Sequence, residues 1–250
     1  MNTTARAAAL AALAFPFLCL PLRASAEPSD CVSTPIVEKG EREIDFKAGS
    51  ARWRDGTREN MSSLGLGWGA SERWFTELYA VWHKAPGESQ RFDAWEWENK
   101  FQLTETGQYP VDVGFLLEVE RPANRSEGYA YRWGPLLQAD IGTHVQANLN
   151  LLFEKHVRGI DDGDTELGYQ WQLKYRWRPA LEFGLQGFGD VGPWTAWEAS
   201  SQQPHGTGPA LFGRFRVEGR QVIDWNAGLV LGVTHGAPGN TVRMQAEYEF

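Results

Sequence analysis

The last ten residues, TVRMQAEYEF, alternate without a break: Val242, Met244, Ala246, Tyr248 and Phe250 are apolar, and Arg243, Gln245, Glu247 and Glu249 between them are polar. A period of two marks a strand whose two faces meet different surroundings. The ends of chains in soluble proteins usually fray into water. A strand that stops on its apolar phase therefore raises the question of which solvent that phase meets. The same period recurs along the chain. In ELGYQWQLKYRW, residues 166–177, one face carries Leu167, Tyr169, Trp171, Leu173, Tyr175 and Trp177, and the other Gln170, Gln172, Lys174 and Arg176. Val145 to Phe153 and Ile223 to Val233 repeat the pattern, and no helical period is found after residue 26.

Twelve such segments are expected, near residues 42–53, 62–69, 73–84, 91–103, 111–121, 128–141, 144–156, 166–177, 180–189, 209–217, 221–234 and 241–250. Connections after the even-numbered segments are short, as in Gly142-Thr143 and Arg178-Pro179. Those after the odd-numbered ones tend to be longer, up to the Pro/Gly/Ser-rich stretch from Asp190 to Gly208. An even number of strands, with tight turns at one end and loops at the other, describes a transmembrane antiparallel up-and-down β-barrel of about 12 strands. Lipid satisfies no backbone hydrogen bond, so a membrane-crossing sheet must close on itself. No stretch from residue 27 to 250 approaches the run of about twenty apolar residues that a membrane helix needs. Nine of the twelve tryptophans (Trp68, Trp74, Trp82, Trp95, Trp97, Trp133, Trp171, Trp177 and Trp225) fall on the apolar phase, many near segment ends, as aromatic girdles at both interfaces require. A secreted β-sandwich also alternates, but its hidden face should be aliphatic and its turns mixed in length at both ends.

The front of the chain differs. Arg6 precedes an apolar run from Ala7 to Leu22, and Ala24-Ser25-Ala26 offers a small-x-small cleavage site before Glu27. Residues 1–26 are therefore expected to be a secretory signal peptide cleaved after Ala26, residues 27–41 a periplasmic N-terminal segment, and residues 42–250 the barrel in the cell outer membrane. Cleavage takes away Arg6 and Arg23 and no acid from a chain of net charge −8, which argues against nucleic acid as a partner. It leaves one cysteine, Cys31, so no internal disulfide forms.

The terminal run, with Phe250 last and Tyr248 two before it, resembles the assembly signal of Gram-negative outer-membrane β-barrel proteins. That resemblance implies recognition of the last strand by the barrel-assembly machinery, with outer-membrane lipid and lipopolysaccharide around the barrel. The hairpin SLGLGWGASERWFTELYAVWHK is similar, over a short stretch, to outer-membrane transporters linked to aromatic-compound degradation, and it carries no functional residue across.

Function must come from the polar phase and the loops. Eight strands fill their own interior and sixteen leave a wide channel, so twelve should leave a narrow one. Glu96, Glu98, Lys100 and Glu118, together with Arg132, are expected along one side of the lumen, and Lys174, Arg176, Arg214 and Arg216 on the other. Strand order in a twelve-membered ring sets Arg214 and Arg216 across from Glu96 and Glu98. An acidic wall facing a basic one would orient small hydrophilic or amphipathic solutes in a wet constriction, or would meet in the middle as a salt-bridged plug. The glycines at 114, 184, 228 and 232 would leave interior space. Trp194 and Trp197 in the longest loop are expected to fold over the mouth or touch a ligand.

The reading is thus a monomeric channel for small solutes. Its alternative is a non-conducting structural or surface-binding barrel whose extracellular loops contact a partner. A lipid-modifying enzyme fits less well: His144 has no serine in its segment, and His83 and His156 read as solvated interface residues. The five histidines have no zinc spacing, and no metal or cofactor is expected. Ile160 to Glu166 lacks a full calcium-loop pattern and reads as a hydrophilic turn.

Overall fold

The computed structural model describes residues 27–160 and 162–250. The signal peptide expected over residues 1–26, and Asp161 of the acidic turn, lie outside the described residues. Twelve strands form one closed antiparallel barrel in which each pairs with its neighbours in sequence and β1 pairs with β12. They are β1 Arg42–Arg52, β2 Arg58–Ser71, β3 Trp74–Lys84, β4 Arg91–Gln102, β5 Asp112–Pro122, β6 Tyr129–Ile141, β7 Val145–Val157, β8 Glu166–Arg178, β9 Leu181–Pro193, β10 His205–Arg216, β11 Val222–Gly232 and β12 Asn240–Glu249. A single 3-10 turn, Arg125–Glu127, interrupts the all-β pattern among the described residues.

Closure answers the question the last residue raises. The β1–β12 ladder runs from Glu43↔Glu249 to Arg52↔Asn240, and the Phe250 amide carries it one step further by donating to the Arg42 carbonyl at 2.9 Å. Every strand edge is therefore paired, as hydrocarbon demands. The apolar phase faces outward on all sides: Leu64, Leu66, Leu78, Leu149, Leu185, Leu229 and Met244 are exposed. A patch of that extent in water would drive aggregation, and it fits a lipid environment.

The aromatic residues form two belts. Near the end that holds Arg42 and Phe250, here the terminal end, Trp74 stacks on Phe101, Phe215 on Trp225, and Tyr248 on Phe250, while Phe183 sits against both Tyr175 and Trp177. At the opposite, loop end, Phe92 sits between Trp82 and Trp95, and Phe153 between Trp133 and Trp194. Ring bodies in apolar surroundings with polar edges near water are the interfacial preference of Trp and Tyr.

Differences from the expected segments concentrate at the loop end. β2 starts at Arg58 rather than near 62, β10 at His205 rather than near 209, and β9 runs on to Pro193. The added residues are mostly polar or glycine. There the wall projects beyond the hydrocarbon, so backbone pairing continues where lipid no longer imposes alternation. Turn lengths also segregate less cleanly than expected, because the terminal-end turn 103–111 is as long as most of the loops. Its residues are held by Gln102, whose amide donates to the Thr104 carbonyl (2.8 Å) and the Thr106 hydroxyl (3.0 Å).

Leu64 sits in mid-strand, opposite Phe46 and Ala80. Leu64→Arg should destabilise the folded barrel in bilayers by about 2–4 kcal/mol, read from urea titrations of the folded gel species. A loss below about 0.5 kcal/mol would mean that this face does not meet hydrocarbon.

Candidate functional site: a lumen occupied by the N-terminal segment

Residues 27–41, expected as a periplasmic N-terminal segment, run inside the barrel instead. The segment leaves β1 at the terminal end and is tied to β2 by two backbone hydrogen bonds, Gly40 N–H to the Gly69 carbonyl (2.8 Å) and Gly69 N–H to the Glu41 carbonyl (2.9 Å). Val37 N–H then donates to the side-chain carbonyl of Gln102 (2.8 Å), and Asn150 donates to the Ser33 carbonyl (3.2 Å). The segment ends in a tight turn in which Asp30 N–H donates to the Glu27 carbonyl (3.0 Å) and Glu27 N–H to an Asp30 carboxylate oxygen (3.1 Å).

Missing side chains on the wall make this passage. A Cβ at Gly49 of β1 would lie 1.8 Å from the Pro28 carbonyl oxygen, and one at Gly69 would lie 1.9 Å from that of Glu38. The space left by Gly114, expected to be open lumen, is taken by Pro35, whose Cβ would be 2.8 Å from an added one. Gly65 and Gly67 do the same for the wall itself, admitting Tyr79, Glu77, Phe75 and Glu43. The glycines of SLGLGWG thus all sit on the lumen phase.

The lumen is divided by this segment. A vestibule of about 750 Å³ opens at the loop end, lined among others by Met61, Phe188, Val230 and Ala237. A second of about 400 Å³ opens at the terminal end, lined by Lys100, Lys174, Glu182, Arg214 and Glu247 among others. Between them only about 30 Å³ remains, around Asp30, Cys31, Glu96, Glu98 and Glu118. The segment and the apolar cluster of Leu116, Leu136 and Leu152 close the waist.

Strand order had set acidic and basic walls face to face, and the structure does not present that arrangement. Three of the four basic side chains expected on the far strands are paired with an acid near them: Lys174 with Glu182 (3.3 Å), Arg176 with Asp140 (2.9 Å), and Arg214 with Asp224 (2.6 Å) and Glu249 (3.0 Å). Arg216 is exposed at the terminal-end rim. Cross-strand neighbours on one face are about 5 Å apart, far nearer than the opposite wall, so they win the pairing.

On the other side Glu98 and Glu118 are buried, and Glu96 and Lys100 half-buried. Arg132 is the centre of this side, within 3.2 Å of Glu154, 3.6 Å of Asp30 and 3.7 Å of Glu118. Lys100 sits 4.9 Å over the Phe75 ring and Lys47 4.0 Å over that of Tyr79. The Tyr79 hydroxyl is 2.7 Å from Asp45 and 2.6 Å from Glu77. Beside this trio the Lys47 ammonium lies 3.5 Å from Asp45, and the Gln245 amide donates to the same carboxylate at 3.0 Å.

From Arg132's own strand, β6, to β9 the wall also carries a row of uncharged side chains. Gln138, Asn148, Gln172 and Gln186 form a chain of amide hydrogen bonds of 3.0, 3.3 and 3.1 Å across β6 to β9. Amides donate and accept, so such a ladder can run to any length without net charge, and here it ends on the buried Gln186 side-chain carbonyl, which has no partner among the described residues.

Trp194 and Trp197 do not fold over the mouth. Trp194 turns outward onto Phe153, with ring centroids 6.0 Å apart, and Trp197 is exposed. It is Gln202 and Pro204 of that loop that reach the vestibule. His83 and His156, expected as solvated interface residues, line the same vestibule, paired with Glu59 (2.9 Å) and Glu154 (3.0 Å).

Sequence reasoning missed the inserted segment, the amide ladder and the Tyr79 trio. The run of lumen-phase glycines in β2 was the available signal for the first.

No protein-family model and no curated protein sequence matches the chain. Solved structures do. An outer-membrane channel from Pseudomonas putida F1 is 13% identical with a TM-score of 0.60, the match covering 90% of this chain and 99% of that one. The NanC porin is 11% identical with a TM-score of 0.54, covering 83% and 98%. At such identities the likeness is one of fold, and the fold is that of Gram-negative outer-membrane β-barrels.

Cys31 tests the placement of the segment. Burial pushes its thiol up to about 12 from its ordinary value, so almost no thiolate exists at pH 8. Gly49→Leu should expel Pro28 and free the thiol, raising its alkylation rate at pH 8 by about two orders of magnitude or more. An unchanged rate in a folded barrel would place the segment elsewhere.

Proposed function

We propose that this chain is exported, cleaved after Ala26 and inserted in the outer membrane, where it is a channel for small hydrophilic or amphipathic solutes, held shut by its own residues 27–41. The observation that carries this reading is the lumen's division. Vestibules of about 750 and 400 Å³ lie on one axis, and a waist of about 30 Å³ between them is filled by a segment that belongs to no strand. A barrel with only a structural role would be expected to fill its middle with wall side chains, as eight-stranded barrels do.

The lining supports the solute class. The loop-end vestibule is lined by apolar side chains, Phe188, Met61 and Val230, and by carboxylates, Glu59, Glu120 and Glu154. A solute with an apolar body and a polar or cationic end matches both. Lipid and lipopolysaccharide surround the aromatic belts, and the assembly machinery acts on the strand ending in Phe250.

Removing residues 27–40 should convert a silent or low-conductance barrel into a stable open channel in planar bilayers. With carboxylates in excess along β4 and β5, that channel should prefer cations. Glu98→Gln with Glu118→Gln in the shortened chain should reduce the preference. A shortened barrel that folds and passes no current would instead favour a non-conducting barrel that acts through its loops.

A further inference from the structure

The first turn of the N-terminal segment lies in an over-acidic pocket. Carboxylate oxygens of Glu27, Glu96 on β4 and Glu120 on β5 lie within 4.8 Å of one another. Arg132, the nearby guanidinium, is already shared among Glu154, Asp30 and Glu118. Arg243 is turned to the segment's backbone, donating to the Asp30 carbonyl and stacking 3.5 Å over the Phe188 ring. Burial, then Glu96 and Asp30, push the Glu27 carboxyl well above the usual carboxylate range against the opposing pull of Arg132, which acts on Glu96 and Glu120 as well. Carboxylates gathered in an enclosed space without matching cations are costly.

The backbone nitrogen of Glu27 lies 3.1 Å from an Asp30 carboxylate oxygen, its side-chain carboxylate is the part that meets Glu96 and Glu120, and Glu27 borders the loop-end vestibule. In a chain that continues before Glu27 this nitrogen is an amide with one hydrogen and no charge. In a chain that starts at Glu27 it is an ammonium with three hydrogens, in the same place. We propose that the α-ammonium created at Glu27 by removal of residues 1–26 is the counter-charge of the pocket formed by Asp30, Glu96 and Glu120, and that it locks the N-terminal segment in the lumen. The inference rests on the cleavage after Ala26 put forward above. It makes the shut state a property of the processed chain: the same turn without the charge is held by Arg243, Gln102 and Asn150 against the repulsion of three acids.

The charge-assisted bonds at stake are each worth more than a neutral one, so their loss should be measurable. The experiment compares refolded barrels whose first residue is Glu27, with the α-amine free or acetylated. Acetylation is done in denaturant near neutral pH, where the α-amine reacts and lysine ammonium groups do not. Both forms are made with the native pocket and with Glu96→Gln plus Glu120→Gln. Folding is checked by the gel shift on boiling. Alkylation of Cys31 and single-channel current are the readouts.

With the native pocket, acetylation should raise Cys31 alkylation by about tenfold or more and open the channel. In the neutralised pocket it should change alkylation by less than about twofold, because the partner charges are gone. Equal alkylation of the free and acetylated forms with the native pocket would overturn the lock. So would an equal increase in both backgrounds, which would point to bulk rather than charge. If calcium added to the acetylated form restores protection, a divalent cation is the counter-charge and the proposal fails. The mass of the exported protein tests the cleavage separately. Cys31 protection reads the lock even if the shortened barrel proves unable to conduct.

Discussion

Hydrocarbon offers no partner to a peptide N–H or C=O, and the architecture follows from that single deficiency. Every strand must be bonded on both sides, so the sheet closes, and β1 finds β12 in a continuous ladder from Glu43 to Arg52. A closed antiparallel sheet gives each strand one face to lipid and one to the interior. The outward face then takes Leu, Val, Phe and Trp, and every charge the sequence places on a strand within the hydrocarbon goes inward. The interior chemistry is thus a by-product of the exterior solvent.

That interior is too acidic on one side to be stable as bare wall. The structure handles the excess locally. Arg132 gathers Glu118, Glu154 and Asp30, Lys47 and Lys100 lie over aromatic rings, and the Tyr79 hydroxyl ties Asp45 to Glu77. The wall from β6 to β9 carries a row of amides, which need no counter-charge. The inserted segment belongs to this electrostatic arrangement as much as to the packing, since Asp30 is one of the acids that Arg132 holds and Arg243 grips its backbone.

The barrel was legible because lipid imposes a strict rule on sequence: alternation from Val242 to Phe250, or from Leu167 to Trp177, has few other readings. Where the rule lapses, the reading did too. The start of β10 at His205 lies beyond the hydrocarbon, and so does the pairing of Asp190 and Pro193 with β8. The partners of the lumen residues were not legible, because strand order says which walls oppose one another and not which neighbour lies within hydrogen-bond reach. Arg214 chose Asp224 on the adjacent strand over the distant Glu96. Residues 27–41 carry no period at all, so nothing in them announces a route through the interior. The information sat on the wall, in Gly49, Gly69 and Gly114, whose absent side chains define the groove.

With residues 1–26 removed as proposed, the segment's covalent join to the barrel is through Arg42 alone, which makes it a cork on a tether. Its free tip is the part that reaches deepest. Its withdrawal toward the terminal end would break its hydrogen bonds to Gly69, Gln102, Asn150 and Arg243 but would separate no strand ladder. An opening made that way would cost nothing in closure of the sheet, which a constriction built from an internal loop, anchored at both ends, does not offer.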